Sequence, residues 1–160
     1  MNYKNLLEKA EKEGIEVVEG CEIGRLGGLY IDNIISLSKK LETEAQKKCV
    51  LGEELGHYYT TYGNIVNQNN LSNIKQEKRA RAWAYKKLIS FNNLIKAFED
   101  GVRSRYQLSI YLEVTEEFLI NGIKFYKRKY GSYIKYKNYY IYFEPLGVLK
   151  RFNCQEDKYE

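Results

Sequence analysis

Residues 49–60 read CVLGEELGHYYT and contain His57, the only histidine of the chain. A helix turns by about 100° per residue, so Glu53 and His57, four residues apart, lie on one face with Glu54 beside them. Apolar residues recur at helical spacing on a neighbouring stripe, which favours burial of that side. The segment therefore predicts a helix whose polar patch lies at the edge of its buried face, where a cleft can form.

This helix differs at one position from the zinc-site pattern H-E-x-x-H. In that pattern two histidines one turn apart bind the metal, and the glutamate between them activates water. Glu53 stands where the first histidine would be. From these residues alone, a surface helix with two carboxylates and a solvated histidine is an equally good interpretation.

A second helix is predicted to begin near Lys75. Glu77, Ala80, Arg81 and Ala84 share one of its faces, and the two alanines allow another helix to approach closely. That approach would bring Glu77 against the polar patch of the first helix. The alternative is an ordinary first-turn glutamate, which the helix dipole favours.

Both segments resemble the ImmA/IrrE family of metallopeptidases, particularly its phage and mobile-element members, in which the same glutamate variant occurs. Residues 51–59, LGEELGHYY, carry the first part of the resemblance. The second part is a downstream pattern, E-x-x-A-x-x-aromatic-A, which is matched by Glu77, Ala80, Trp83 and Ala84. In the family this downstream glutamate is the third metal ligand.

The resemblance implies a zinc-dependent metallo-endopeptidase. Glu53, His57 and Glu77 would bind the metal and leave a fourth position for water, and Glu54 would be the general base. Zn²⁺ is the expected metal. Because Glu53 adds a carboxylate in place of an imidazole, the metal would be a weaker Lewis acid, and Mn²⁺ or Fe²⁺ are alternatives. Alternatively, Glu53 does not bind the metal, and only two protein ligands, His57 and Glu77, remain.

By the same resemblance, the substrate would be a helix-turn-helix repressor of a phage or an integrated mobile element, and its cleavage would derepress the element. A non-catalytic protein that binds the repressor in the same cleft is the first alternative. A DNA-binding regulator that uses residues 108–126 is the second, since this region has the pattern of a helix-turn-helix with Thr115 as an N-cap. Nucleic acid is the weaker expectation, because the same region also resembles the helices that follow the metal site in the family.

We expect an α+β fold with a zincin-like helical core, a small N-terminal antiparallel sheet or hairpin, a helix-turn-helix-like region and a C-terminal β-hairpin. The hairpin at 29–37 either holds an extended substrate by its backbone or only covers the metal helix. The terminal hairpin is expected to end at Glu144-Pro145, and its tyrosines, interleaved with Lys135 and Lys137, suit base stacking or protein packing. The predicted elements are a helix at 3–12, a strand at 15–18, the hairpin at 29–37, a helix from Thr43 to about residue 61, a helix from residue 75, a helical region at 85–130 and the hairpin at 132–143.

Length and composition favour a single domain over residues 1–160, with a metal-site core at 1–100 and the helical region and terminal hairpin at 101–160. The 26 basic and 21 acidic residues leave a net charge of +5. Three widely spaced cysteines make a disulfide framework unexpected and favour the cytoplasm. Because no apolar run has the length of a membrane span, we expect no membrane partner.

Overall fold

The protein has an α+β fold, as the sequence predicts. The computed structural model describes residues 1–61 and 70–151, which form six helices and six strands. In chain order these elements are α1 (Tyr3–Lys12), β1 (Glu16–Cys21), β2 (Gly28–Ile31), β3 (Ile34–Ser38), α2 (Glu44–Thr61), α3 (Asn70–Leu88), α4 (Phe91–Glu99), α5 (Arg105–Tyr111), α6 (Glu116–Tyr130), β4 (Tyr133–Tyr136), β5 (Tyr139–Phe143) and β6 (Leu146–Lys150).

The N-terminal sheet has the order β1-β3-β2. β2 and β3 form the predicted antiparallel hairpin, and β1 pairs with β3 in parallel. The two turn residues, Asp32 and Asn33, have φ angles of 49° and 62°. A two-residue hairpin turn of this hand needs positive φ at both positions, and Asp and Asn tolerate it. The sheet order places β2 at an edge.

Helix α2 begins with a capping box at Thr43, the residue at which the sequence predicts the start of this helix. The backbone N–H of Gln46 donates to Thr43 Oγ1 at 3.2 Å, and the backbone N–H of Thr43 donates to Gln46 Oε1 at 3.1 Å. These reciprocal bonds satisfy donors that have no partner within the helix. Leu51 and Leu55 are completely buried. The cap fixes the residue at which α2 begins. The buried stripe fixes which face of α2 points into the core, and the polar patch occupies the face that remains.

Helices α2 and α3 pack closely, as the alanines of α3 predict. Ala80 and Ala84 are completely buried, and a Cβ added at Gly56 would lie 2.3 Å from the backbone oxygen of Ala80. α3 begins at Asn70, five residues before the predicted start. The expected turn at residues 62–64 lies outside the described residues, as does most of the polar stretch predicted before α3.

The helical region 85–130 divides into the end of α3 and the helices α4, α5 and α6. Thr115 caps α6, as predicted. Lys48 of α2 is 2% exposed and donates from Nζ to the carbonyl oxygen of Leu112, at the end of α5, at 2.6 Å. Burial lowers the pKa of this lysine. This buried hydrogen bond connects α2 to the helix-turn-helix-like region.

The C-terminal sheet has the order β4-β5-β6. β4 and β5 form the predicted terminal hairpin. As predicted, the second strand of this hairpin ends directly before Glu144-Pro145. The chain then turns back, and a third strand that the sequence did not predict, β6, pairs with β5 along its length. Ile141 and Phe143 belong to the same hydrophobic core as Leu6 and Leu55. In the part of the chain that the structure describes, no helix has the length and apolar character that a membrane span requires.

The contact between α2 and α3 predicts different costs for two glycine substitutions. In Gly56→Ala the new methyl group meets backbone atoms of Ala80, whereas in Gly52→Ala it meets the flexible end of Leu88 at 2.9 Å. Both changes gain about 1 kcal/mol of intrinsic helix stability, so each controls for the other. We expect Gly56→Ala to lower the free energy of unfolding by about 1–3 kcal/mol more than Gly52→Ala does, measured by urea denaturation. Equal stabilities would contradict the close backbone contact.

Candidate active site

The four residues singled out by the sequence line one cleft. Glu53, Glu54 and His57 project from α2, and Glu77 projects from α3. Strand β2 forms the opposite wall, and the cleft has a volume of about 690 Å³. The structure therefore brings together two segments that are separated by about twenty residues in the sequence.

His57 and Glu77 are in direct contact across the two helices. The distance from His57 Nε2 to Glu77 Oε1 is 3.2 Å. The close packing of Gly56 against Ala80 sets this distance. His57 directly follows Gly56, and Glu77 lies one turn before Ala80. The predicted approach of Glu77 to the polar patch of α2 is thus present.

Arg81 lies between two of the carboxylates. Its Nε is 3.8 Å from Glu53 Oε2, and its Nη2 is 3.8 Å from Glu77 Oε2. The i, i+4 spacing places Arg81 on the same helix face as Glu77, and this spacing indicates an interaction between them. The sequence alone assigns no role to Arg81. Its role depends on the position of Glu53, which only the packing of α2 against α3 reveals.

Burial makes the cleft favourable for protons or cations. Burial, together with the charges of Glu53 and Glu77, raises the pKa of Glu54 to about 7, and a backbone hydrogen bond from Tyr30 opposes this rise. The pKa of Glu53 is also raised by burial, while the charge of Arg81 opposes the rise. A carboxylate that has lost hydration gains more from a nearby positive charge than an exposed one does. Three carboxylates in one partly desolvated cleft therefore attract a cation.

Strand β2 lies directly against α2 beside Glu54. A Cβ added at Gly28 would be 2.6 Å from Val50 Cγ1 and 2.8 Å from Glu54 Oε1, so the approach requires glycine. The backbone N–H of Ser38 donates to the Gly27 oxygen at 2.8 Å. In an antiparallel ladder bonded and non-bonded pairs alternate, so the backbone groups of Gly28 and Tyr30 face away from β3. The free edge of β2 thus borders the cleft next to Glu54.

Cys49, one turn before Glu53, is a buried core residue. Its Sγ lies 4.0 Å from Thr115 Oγ1, and burial raises the pKa of the thiol to about 11. A thiol binds a metal as its thiolate, and this environment disfavours the thiolate. This agrees with leaving Cys49 out of the predicted ligand set.

The donor set fits a divalent cation in chemical type. Among residues 1–61 and 70–151, no three side chains of His, Cys, Asp or Glu are close enough together to bind one metal ion in the arrangement described. Two predicted ligands, His57 and Glu77, already meet, and the third, Glu53, is held by Arg81. The guanidinium of Arg81 is a cation, and it lies between the carboxylates of Glu53 and Glu77. The ligand types therefore suit a divalent cation, while Arg81 pairs with Glu53 and Glu77.

Comparison with known proteins agrees with this geometry. The family model Peptidase_M78, described as the IrrE N-terminal-like domain, matches residues 10–124, which include α2, α3 and the whole cleft. Searches of curated proteins and of solved structures gave no match. The match covers well over half of the chain and confirms the resemblance to ImmA/IrrE proteins. The chain therefore belongs to the Peptidase_M78 family, a family of metallopeptidases with an IrrE N-terminal-like domain.

Proposed function

We propose that this protein is a metal-dependent endopeptidase that cleaves a helix-turn-helix repressor of a phage or an integrated mobile element. The observation that carries the proposal is the position of Glu54. Its carboxylate lies in the cleft beside His57 and Glu77 and also beside the free edge of β2. A general base is thus next to a strand edge that can hold a peptide in extended form.

In this proposal Glu53, His57 and Glu77 hold the metal, with Zn²⁺ as the expected ion and Mn²⁺ or Fe²⁺ as alternatives. A divalent cation bound there would act as a Lewis acid that acidifies water and polarises the scissile carbonyl. Arg81 would then lose its carboxylate partners and keep its positive charge in the cleft. His57 would use Nε2, the nitrogen that faces Glu77, as the metal-binding atom.

Glu54 is the proton carrier. Its carboxylate takes a proton from the attacking water and then gives it to the nitrogen of the leaving amine. Burial beside β2 and the neighbouring carboxylates raise its pKa to about 7, which suits a group that must both accept and release a proton near neutral pH. The backbone hydrogen bond from Tyr30 fixes the orientation of this carboxylate relative to the edge of β2.

The substrate peptide would bind as an additional strand beside β2. The outward-facing backbone groups of Gly28 and the carbonyl oxygen of Tyr30 can pair with an extended chain, while the Tyr30 N–H donates to Glu54. Such backbone pairing gives affinity without dependence on side chains. The absence of a Cβ at Gly28 keeps the strand close to Glu54. A repressor as the source of this peptide is supported by the resemblance to phage and mobile-element members of the family.

A repressor-binding protein without catalysis is the second candidate. It is favoured by Arg81, whose two ion pairs already compensate the charges of Glu53 and Glu77. The DNA-binding alternative has less support, because the first turn of α6 carries Glu116 and Glu117. In a helix-turn-helix the first turn of the second helix approaches the bases, where two carboxylates would repel phosphate.

The metal ligands can be tested without any substrate. His57→Ala and Glu77→Ala should each lower the metal content of protein purified without chelators, because each removes one of three ligands. Metal per chain would be measured by mass spectrometry of the elements, with Lys78→Ala, an exposed neighbour of Glu77, as the control. Full metal content in both variants would show that the ligand set is wrong.

The role of Glu54 can be separated from metal binding. Glu54→Gln should reduce the cleavage rate of a helix-turn-helix repressor that the native protein cleaves by at least about 100-fold, since it removes the base but no ligand. Metal content and melting temperature should stay close to those of the native protein. Glu11→Gln, an exposed change of the same kind on α1, is the control. Cleavage at the native rate by Glu54→Gln would rule out this mechanism.

Arg81 should compete with the metal for the carboxylates. Arg81→Gln removes the guanidinium that must leave Glu53 and Glu77, so we expect Zn²⁺ to bind roughly tenfold more tightly, or about 1.4 kcal/mol. Affinity would be measured by competition with a chromogenic chelator. Arg79→Gln, an exposed arginine on the same helix, should bind Zn²⁺ as the native protein does. Weaker binding by Arg81→Gln would mean that Arg81 supports the site.

A further inference from the structure

The positive charge of the protein is concentrated in residues 124–151, ahead of a last segment, 152–160, with one basic and three acidic residues. Residues 1–123 contain 17 basic and 17 acidic residues, so this part is neutral. Residues 124–151, from the last two turns of α6 to the end of β6, contain eight basic residues and a single acidic one, Glu144. Glu144 is paired with Lys127. The family match ends at residue 124, so all of this basic unit except Lys124 lies beyond the matched region.

The sheet β4-β5-β6 uses one face for the core and leaves the other face open. Ile141 and Phe143 of β5 are buried, and Ile134 of β4 packs on the same core. The register pairs Tyr133 with Tyr142 and Lys135 with Tyr140, and Tyr140 pairs in turn with Leu149. Since side chains alternate along a strand, these partners lie on the opposite face. We call this surface the tyrosine face; it comprises Tyr133, Lys135, Tyr140, Tyr142, Leu149 and Arg151.

The aromatic rings of the tyrosine face form a contiguous cluster. The ring of Tyr133 lies 6.0 Å from that of Tyr140 and 5.4 Å from that of Tyr142, between centroids. Tyr133 is 52% exposed and Leu149 is 59% exposed. The guanidinium of Arg151 lies 5.9 Å from the ring centroid of Tyr140. Tyrosine rings and cations thus share one face of the sheet.

We propose that the tyrosine face binds single-stranded nucleic acid. Bases would stack on Tyr133 and Tyr140, and Lys135 and Arg151 would contact the phosphates. Every base has a π-face, so this surface needs no particular sequence. The three strands span roughly 10 Å across the sheet, which accommodates about two stacked bases. This inference concerns a surface outside the peptidase cleft and does not rest on the proposed function.

The chemistry of this surface favours single strands over the other polyanions. Side chains on a sheet face do not enter a duplex groove as a recognition helix does, whereas unpaired bases can stack on the rings. Tyrosines also pack at protein interfaces, so a comparison with polyglutamate distinguishes an acidic protein from a nucleic acid. The residues of the tyrosine face include two cations and no carboxylate, which favours binding of a phosphate backbone.

The proposal can be tested with fluorescein-labelled dT20 and fluorescence anisotropy of the full chain. We expect Tyr133→Ala and Tyr140→Ala each to weaken binding at least fivefold, because each removes a stacking surface. Tyr140→Phe keeps the ring and should keep the affinity, which separates stacking from a folding defect. Tyr106→Ala removes a tyrosine of α5 that is 61% exposed and should have no effect. Lys135→Gln and Arg151→Gln should each reduce the slope of log K against log salt by about one.

Three results would overturn the proposal. The first is the absence of dT20 binding by the native protein at 50 mM salt. The second is unchanged affinity in both alanine variants, which would mean that charge alone attracts the strand. The third is equal or tighter binding of a 20-base-pair duplex or of polyglutamate, which would assign the surface to duplex DNA or to an acidic protein. None of these measurements depends on protease activity, so they leave the proposed function untouched.

Discussion

The site depends on the close contact between helices α2 and α3. Gly56 allows the backbone of Ala80 to come within a distance that no side chain would permit. The glycine costs about 1 kcal/mol of helix stability relative to alanine, and the burial of α3 against α2 offsets that cost. In return, His57 and Glu77 reach each other across the interface. A wider separation would leave two ordinary surface side chains.

The charges and the burial of the cleft residues then determine what the cleft can bind. The cleft places three carboxylates where burial raises the pKa values of two of them, Glu53 and Glu54. Such a site gains free energy from a proton, a metal or a tethered cation. Arg81 supplies the tethered cation at the edge of the cleft. In the proposed metal site, this arginine and a divalent cation would compete for the same carboxylates.

The chain carries a second surface of a different kind beyond the cleft. The matched family region is nearly neutral, whereas the sheet that follows it is strongly basic and presents a cluster of tyrosine rings. Both parts share one hydrophobic core, in which Phe143 and Leu55 belong to the same cluster. Lys48 adds a buried link from α2 to the end of α5. The two surfaces are thus parts of a continuous packed structure.

The sequence by itself determined the local structure and the chemical types at the site. Helical spacing, the Thr43 cap and the Asp32-Asn33 turn act over a few residues, so they predicted α2 and the β2–β3 hairpin correctly. The ligand candidates Glu53, His57 and Glu77 came from short motifs together with the resemblance to ImmA/IrrE proteins. Only the tertiary structure decided what depends on distant packing: the position of Arg81 between two carboxylates, the edge of β2 beside Glu54 and the pairing of β6 with β5. The physical reason is that helix crossing and strand register are set by contacts between distant residues, which no local pattern in the sequence contains.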